Sequence, residues 1–403
     1  MHRQHRSKTL LLVAACLSLL ALTLPGLVAQ GGETVVGTEY GEPIQGITAL
    51  QFELFRLGLE DFLEVEDAGE GLGPVFNGRS CAECHAVPRI GGSGTMAEIR
   101  AGILHEDGSF EELPGGTLIQ IFSIPVHEVQ PIIPLEANVI AHRQPLPLFG
   151  DGLVEAVPDQ VFEAMEDPED LDGDGVSGRA HRVFDPDSGD IRIGRFGWKA
   201  ELSSLFTFGA AAYLFEMGIT NDLFPEEACP PGVDCELVAL VDRVADPEDG
   251  PERSTGLRGI DNFANFMRLL GPPPRGVITE EAIQGEQIFS QIQCSSCHLP
   301  DLQTGASPIQ ALSFKRFSPY GDFLLHDIGT GDGIQAGEAK PEEIRTSPLW
   351  GIRFRAPFLH DGRASNLNEA ILRHAVEAGN SRQMYEELSE EEQKALIAFL
   401  NSL

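Results

Sequence analysis

Two short stretches, Cys81-Ala-Glu-Cys-His85 and Cys294-Ser-Ser-Cys-His298, carry the strongest signal in this sequence. In each, a histidine directly follows two cysteines that are separated by two residues. This spacing lets both thiols bond to the vinyl groups of one porphyrin while the adjacent imidazole reaches the iron. A zinc knuckle or a redox dithiol also uses paired cysteines, but neither explains the histidine after both pairs. The sequence therefore predicts two covalently bound haem c groups, with His85 and His298 as iron ligands.

Residues 1–30 are typical of a secretory signal peptide. Arg3, Arg6 and Lys8 precede an apolar run that extends from residue 10 to residue 28. The stretch Val13-Ala-Ala-Cys16 also resembles a lipoprotein cleavage box that would leave Cys16 acylated, but the apolar run continues past it and favours release. We expect a periplasmic or secreted protein, and no later stretch has the roughly 18 apolar residues that a membrane span needs.

Export also suggests a role for two further cysteines, Cys229 and Cys235, which flank a proline-rich loop. In an oxidising compartment they are expected to form a local disulfide. A metal or redox role is the alternative, although no histidine or aspartate lies at ligand spacing.

The composition limits the partners of the chain. The formal net charge is −34, and removal of the three basic residues of the leader takes it to about −37. Such a surface repels nucleic acid and anionic membranes and favours a basic or neutral redox partner, such as a small cytochrome or a cupredoxin.

The C-terminal part, residues 271–403, is predicted to form one cytochrome c domain. Thr279 can cap a first helix, and Ser389 with Glu392 forms a capping box for a terminal helix that would pack across the first. The segment Gly271-Pro-Pro-Pro-Arg-Gly276 is the expected linker.

Residues 31–270 are predicted to form a second cytochrome c-like domain that holds the first haem and loop-rich insertions. A helix is expected from about residue 50 to residue 65. Phe76 precedes Cys81 by the same five residues that separate Phe289 from Cys294, which suggests an internal repeat. The predicted fold class is therefore mainly α.

One insertion contains an acidic loop, in which Asp170, Asp172 and Asp174 alternate as in the first half of a calcium loop. The twelfth position is His181 rather than glutamate. The loop is a candidate calcium site, and an acidic surface turn is the alternative.

Four residues could complete the coordination of the second haem: His326, His360, His374 and Met384. His374 is favoured, because it lies on a predicted helix that begins at Asn366 and has an apolar inner face. His360 is expected to bind a propionate or to orient a ligand. For His326, surface or packing roles are the alternative.

Several longer motifs resemble the bacterial di-haem cytochrome c peroxidase superfamily. Within it, the chain is most similar to the di-haem oxidoreductase family of peroxidase-like proteins, also labelled thiol oxidoreductases. The motifs are Leu72-Gly-Pro-Val-Phe-Asn77, Asp172-Gly-Asp-Gly-Val-Ser-Gly178, Gly194-Arg-Phe-Gly-Trp-Lys-Ala200, Met217-Gly-Ile-Thr220, Arg345-Thr-Ser-Pro-Leu-Trp-Gly351, Ala356-Pro-Phe-Leu-His-Asp-Gly-Arg363 and Leu367-Asn-Glu-Ala-Ile-Leu-Arg-His374.

The resemblance implies that the C-terminal haem handles electrons. In the peroxidases a methionine ligates this haem, and in the enzymes that mature methylamine dehydrogenase a tyrosine does; here the position holds His374, which implies a bis-His haem of lower potential. The superfamily also binds calcium between its haems at a Thr-Ala-Pro turn. Here the turn is Arg355-Ala-Pro357, which makes that calcium less certain.

The resemblance implies that the N-terminal haem is the reacting one. Glu155 is the candidate distal acid or base, Arg143 could stabilise negative charge on the leaving oxygen, and His142 could block or serve the site. Trp198 is a candidate electron relay, with core packing as the alternative. Met217 could instead cap the first iron and make that haem a carrier, although it could equally be a core residue.

The expected function is therefore peroxide reduction at the N-terminal haem with electrons from the C-terminal one. Two alternatives are oxidation of an organic or protein substrate at the same site and electron transfer without turnover.

Overall fold

The computed structural model describes residues 32–125, 130–241 and 244–403, without the side chains of Cys235, Ala239 and Leu240. The predicted signal peptide and Cys16 lie outside these described residues. Within them the helices are α1 (Ala49–Leu63), α2 (Cys81–Cys84), α3 (Asp151–Glu155), α4 (Asp159–Met165), α5 (Leu205–Met217), α6 (Cys235–Val241), α7 (Gly259–Leu269), α8 (Glu280–Gln291), α9 (Leu367–Leu372), α10 (Gly379–Glu386) and α11 (Glu390–Ser402).

Short strands alternate with these helices. They are β1 (Glu33–Thr34), β2 (Val75–Phe76), β3 (Glu98–Leu104), β4 (Phe110–Glu111), β5 (Leu118–Ile119), β6 (Phe122–Ser123), β7 (Val139–Arg143), β8 (Arg182–Asp185), β9 (Asp190–Ile193), β10 (Leu302–Gln303), β11 (Lys315–Phe317), β12 (Leu325–His326) and β13 (Ile344–Arg345). The largest sheet places β3 between β4, β5 and β7, and all its pairs are antiparallel. Strand β1 runs parallel to β11, so the start of the described chain pairs with its second half.

The prediction of a mainly α fold is wrong, because the chain is 30% helical and 14% strand. Strands β1 to β9 lie within residues 31–270, where the sequence analysis expected loop-rich insertions, and β10 to β13 lie in the predicted C-terminal cytochrome c domain. Strand β3 is the clearest case: five of its residues pair with β7, and Ala101 on it is fully buried. The alternating apolar residues of β3 are typical of a strand, but the pattern covers only seven residues and is weak evidence in the sequence alone.

Two hydrophobic clusters form the interior. The larger one contains Phe55, Phe62 and Phe266, where α1 packs against α7, and extends to Trp350. The smaller one contains Phe289, Tyr320 and Phe399, where α8 packs against α11. Residues Glu33–Leu403 form one compact unit, and the division into domains 31–270 and 271–403 stays a prediction.

The capping predictions are confirmed. Thr279 accepts a hydrogen bond from the Ala282 N–H at the start of α8, and Ser389 and Glu392 form the capping box of α11. The helix expected from residue 50 to residue 65 is observed as α1. Each cap satisfies backbone N–H groups that have no partner inside the helix.

The internal repeat exists, but its register differs from the predicted one. Phe76 lies on β2 and pairs with Phe122, whereas Phe62 on α1 is the counterpart of Phe289 on α8. The ring centre of each lies 6.3 Å from that of the haem-motif histidine, Phe62 from His85 and Phe289 from His298. Both follow a glycine by four residues, in Gly58-Leu-Glu-Asp-Phe62 and Gly285-Glu-Gln-Ile-Phe289.

Those two glycines allow the helix pairs to approach closely. A Cβ at Gly58 would collide with the Asn262 carbonyl on α7, and one at Gly285 with the Ala395 carbonyl on α11. The repeated glycine is therefore a packing requirement at both helix crossings.

Two further findings concern the predicted disulfide and the prediction that the chain has no membrane span. Cys229 is disulfide-bonded, but the side chain of Cys235 lies outside the described part, so the pairing of the two stays a prediction. No helix among the described residues is long and apolar enough to cross a membrane.

Gly285→Ala tests the helix crossing. We expect a loss of about 1–3 kcal/mol in the free energy of unfolding, because the new methyl group forces α8 away from α11. Denaturant unfolding of the haem-loaded protein measures this loss. Gly379→Ala is the matched control, since Gly379 begins α10 with helical φ and ψ and a Cβ there meets nothing within 4 Å. Equal stability of the two variants would contradict the packing argument.

Candidate functional site

The first cysteine-histidine motif opens onto a cavity of about 380 Å³. Cys81, Cys84 and His85 line it, and Ser80 caps the short helix that presents the two thiols. The Nδ1 of His85 lies 3.0 Å from the carbonyl oxygen of Gly92. Because a carbonyl can only accept, Nδ1 carries the proton and Nε2 keeps a lone pair for a metal.

The second motif opens onto a cavity of about 180 Å³, lined by Cys294, Cys297 and His298. The Nδ1 of His298 donates to the carbonyl oxygen of Tyr320 at 3.2 Å. The same pattern as at His85 therefore leaves Nε2 free to bind iron.

His374 faces His298 across this cavity. It follows α9 rather than lying on it, since that helix ends at Leu372, and its Nδ1 donates to the Ala370 carbonyl at 2.8 Å. The ring centres of His298 and His374 are 6.5 Å apart. Two imidazoles that bind one metal from opposite sides through bonds of about 2 Å hold their ring centres roughly 6 Å apart. The observed separation therefore fits one iron between the two rings.

Three of the four motif thiols, those of Cys81, Cys84 and Cys294, do not have the surroundings of a redox or zinc site, whereas the Cys297 Sγ lies 3.8 Å from the His326 ring. Burial raises the pKa of Cys81, Cys84 and Cys294 to about 12. Reactive and metal-binding cysteines have a lowered pKa and an electropositive environment. The buried neutral thiols fit covalent attachment of a haem better than either alternative.

Trp198 lies between the two cavities and lines both. Its Nε1 donates to the Gln144 carbonyl at 2.7 Å, and Gln144 and Pro145 also line both cavities. Trp350 lies in the larger hydrophobic cluster, with its ring centre 5.9 Å from that of Phe317, and lines neither.

His360 lines the cavity of His298 and is only 2% exposed. Burial lowers its pKa to about 4, so the ring is neutral. Its Nε2 has no hydrogen-bond partner within the described chain. A buried polar atom without a partner calls for an explanation, and a cofactor carboxylate in the cavity would provide one.

Glu155, the predicted distal acid, is not in the cavity of His85. It ends α3, where its carboxylate binds the Arg268 guanidinium at 2.6 Å and caps α5 by accepting from the Leu205 N–H at 2.8 Å. His142 is also elsewhere, because its side chain points to the exposed face of β7. Strand alternation puts the next residue, Arg143, on the buried face.

Three glutamates that the sequence analysis missed line that cavity: Glu98 on β3, Glu216 on α5, and Glu201, which is paired with Arg143. Burial and the nearby Glu98 raise the pKa of Glu216, although the amide of Asn77 donates to it at 2.6 Å. Burial opposes ionisation of Glu98 as well, but Arg100 and Arg143 lower its pKa. The raised pKa of Glu216 beside the lowered pKa of Glu98 favours the proton on Glu216 and the charge on Glu98.

Arg143 lines the same cavity and is 2% exposed. Its Nε binds Asp332 at 2.8 Å and its Nη1 binds Glu201 at 3.1 Å. Its Nη2 has no hydrogen-bond partner among the described residues, so one donor remains for a ligand. The prediction that Arg143 belongs to the first haem site is therefore consistent with its position.

Met217 and His326 have clear structural surroundings. Met217 lines the cavity of His85 and is a buried member of the larger hydrophobic cluster. His326 is 2% exposed and lies between the carboxylates of Asp322 and Glu377, each at 2.9 Å. Burial opposes its charge, but Asp322 above all raises its pKa well above the usual value. His326, Asp322 and Glu377 therefore form a buried ion-pair cluster, with the thiol of Cys297 beside it.

The acidic loop brings ligand oxygens of Asp167, Asp170 and Asp172 within 4.8 Å of one another. Asp174 is not part of this group and accepts instead from the Val176 N–H at 2.8 Å. Calcium binding by the loop stays a prediction.

Comparison with known proteins gives one family and a set of distant solved structures. The family described as "di-haem oxidoreductase, putative peroxidase" matches residues 133–403, a range that contains the second haem motif. No curated protein matches the chain.

Among solved structures, hydrazine synthase of Kuenenia stuttgartiensis is 16% identical with a TM-score of 0.41, and the match covers 99% of this chain and 100% of that one. A MauG-like protein associated with microbial copper homeostasis is 16% identical with a TM-score of 0.32, over 64% of this chain and 89% of that one. A variant of the di-haem peroxidase BthA from Burkholderia thailandensis is 13% identical with a TM-score of 0.31, over 75% and 95%.

The family match spans well over half of the chain and coincides with the cavity that His298 and His374 share. The chain therefore belongs to the di-haem oxidoreductase family. Membership of this family implies haem cofactors and a redox function.

Proposed function

We propose that this protein is an exported di-haem c-type peroxidase, which reduces peroxide at the haem of His85 with electrons from the haem of His298. The observation that carries the proposal is the inequality of the two cavities. His298 faces a second imidazole at 6.5 Å between ring centres. In the described residues the cavity of His85 has no second histidine, and it contains a carboxyl pair and an arginine with an unused donor.

Cys81 and Cys84 would hold the first haem covalently, and Cys294 and Cys297 the second. His85 would bind the first iron, and His298 and His374 would bind the second. When bound, the haems supply the redox chemistry, since an iron with one imidazole can react with peroxide while one with two imidazoles exchanges electrons. Every other contribution comes from the side chains of the cavities.

Glu98 and Glu216 supply the acid and the base. Two carboxyl groups whose surroundings push their pKa values apart can accept one proton and donate another at the same pH. Glu98, ionised beside Arg100, would accept the first proton of peroxide, and Glu216 would donate a proton to the leaving oxygen. This pair takes the role that the sequence analysis gave to Glu155.

Arg143 can stabilise the negative charge that develops on that oxygen. Its Nη2 is the free donor, and the ion pairs with Asp332 and Glu201 hold the guanidinium in a fixed orientation. A donor that is already oriented costs no reorganisation at the moment of reaction.

Trp198 would mediate electron transfer between the haems. It is the aromatic residue that lines both cavities, and its ring centre lies 6.1 Å from that of His360. The acidic surface favours a basic or neutral electron donor, such as a small cytochrome or a cupredoxin. Export to the periplasm rests on the predicted signal peptide.

Spectra and turnover of the purified holoprotein test the function. We expect two haems per chain, one high-spin ferric and one low-spin, and peroxide consumption coupled to oxidation of a reduced cytochrome. EPR, optical spectra and a peroxide assay measure these properties. Two low-spin haems that are inert to peroxide would contradict the proposal and favour electron transfer, with Met217 as a candidate ligand.

Glu216→Gln tests the proton donor. We expect the rate of reaction with peroxide to fall at least about tenfold, because the acid is lost. In the native protein the rate should decline as pH rises through the raised pKa of Glu216, since only the protonated carboxyl donates; the variant should lack this decline. Stopped-flow rates across pH measure both effects.

Two further variants complete this test. Glu163→Gln changes an exposed glutamate of α4 and should leave the rate unchanged. Glu155→Gln tests the earlier assignment, and a larger loss there than in Glu216→Gln would restore Glu155 as the acid.

His374→Met tests the ligand of the second haem. We expect a higher reduction potential for the low-spin haem, because thioether ligation raises the potential relative to imidazole. Spectroelectrochemical titration measures the change. His105→Met alters an exposed histidine that pairs with Glu111 and is the control. Unchanged spectra and potential in His374→Met would show that another residue ligates the iron.

A further inference from the structure

Two arginines that no part of the proposed function uses line the cavity of His298. Arg345 lies on β13 and is 4% exposed. Arg355 directly follows a short 3-10 turn, Ile352–Phe354. Both side chains face the cavity that His298 and His374 share.

Neither arginine has a carboxylate in direct contact among the described residues. The Nε of Arg345 donates to the Gly197 carbonyl at 2.6 Å, and its Nη1 donates to the Thr346 carbonyl at 3.2 Å. Arg355 donates to the Pro348 carbonyl at 2.9 Å and reaches the Ser347 hydroxyl only at 3.4 Å. No carboxylate of the described residues lies within 4.0 Å of either guanidinium.

Other interior arginines are neutralised. Arg143 binds Asp332 and Glu201, and Arg195 binds Asp159. A buried charge without a counter-charge is strongly unfavourable. Burial lowers the pKa of Arg345 to about 10, although the more distant Asp151, Glu201 and Asp322 raise it. Burial and the repulsion from Arg345 together lower the pKa of Arg355 to about 10. Each guanidinium therefore lacks a carboxylate in contact, and a ligand in the cavity could supply one.

We propose that Arg345 and Arg355 form a binding site for carboxylate groups, and that these groups are the propionates of the haem attached at Cys294 and Cys297. The proposal rests on the two-haem assignment in the proposed function. A planar guanidinium with several donors matches a carboxylate, and one such contact can be bidentate. The neutral His360, whose Nε2 has no partner among the described residues, can donate to the same groups.

The site has a consequence for the redox behaviour of the haem. Two cations beside a haem disfavour the ferric form, which carries one more positive charge than the ferrous form. The arginines therefore raise the reduction potential and oppose the lowering by the second imidazole, His374. The sequence alone predicts a low-potential haem, whereas this site moves the potential upward.

Arg345→Gln and Arg355→Gln test the site in the holoprotein. Thioether bonds keep the haem attached, so loading, measured as pyridine haemochrome, should stay unchanged. We expect a more negative potential of the low-spin haem in each variant and a larger shift in the double variant. The propionate-bending bands in resonance Raman spectra should also change.

Arg353→Gln is the matched control. Arg353 lies in the 3-10 turn before Arg355, but it donates to the backbone carbonyls of Pro274 and Leu403 and does not line the cavity. The Arg353→Gln substitution removes the same positive charge two positions before Arg355. An equal shift in Arg353→Gln, or no shift in the two cavity variants, would overturn the proposal.

Two further measurements keep the test decisive. If Arg345→Gln fails to fold, Arg345→Lys is the alternative variant. It keeps the positive charge but loses the planar guanidinium that can bind a carboxylate through two hydrogen bonds. It should therefore change the propionate-bending bands and leave the reduction potential close to native. A native potential that shifts with added phosphate, together with loss of that shift in the variants, would show that a free anion occupies the site and would overturn the propionate assignment.

None of these measurements uses peroxide. A result that contradicts the propionate site is therefore distinguishable from a result that contradicts the proposed peroxidase activity.

Discussion

A buried ion-pair network around Asp332 holds the site together. Its carboxylate lies 2.8 Å from the Nε of Arg143 and 3.3 Å from the Nζ of Lys199. Lys199 is fully buried and also donates to the backbone carbonyls of Lys340, Pro341 and Glu343. Removing one partner of such a network leaves a buried charge uncompensated, at a cost of about 3–5 kcal/mol. The network therefore fixes a segment of the second half of the chain against the cavity of His85.

The position of Trp198 follows from this network. It precedes Lys199 in the chain, and its carbonyl accepts from the Arg345 N–H at 2.8 Å. Arg345 in turn lines the cavity of His298. One short stretch thus contacts both cavities. The same stretch connects the residues proposed for proton transfer with those proposed to bind propionates.

The sequence led to the correct family, but its candidate acid, Glu155, does not line the cavity of His85. Nothing in the sequence around Glu155 and Glu98 separates a carboxylate that caps α5 from one that lines a cavity, because Arg268 and Leu205, the partners of Glu155, lie 113 and 50 positions away from it. Glu216 adjoins a family motif at Met217, so a signal was present, but its proton depends on the distant Glu98. The repeat could have been placed correctly, because the Gly58–Phe62 and Gly285–Phe289 spacing is visible in the sequence.

The sequence by itself determined the two haem motifs, the caps of α8 and α11, and His374 as the candidate partner of His298. These depend on local spacing and local hydrogen bonds, which a linear pattern records. Only the tertiary structure decided that strands fill the insertions, which carboxyl group holds a proton, and which arginines lack a counter-charge. The physical reason is that burial, electrostatic neighbours and cavity walls are set by residues more than 100 positions apart, such as Glu98 and Glu216 or Arg143 and Asp332.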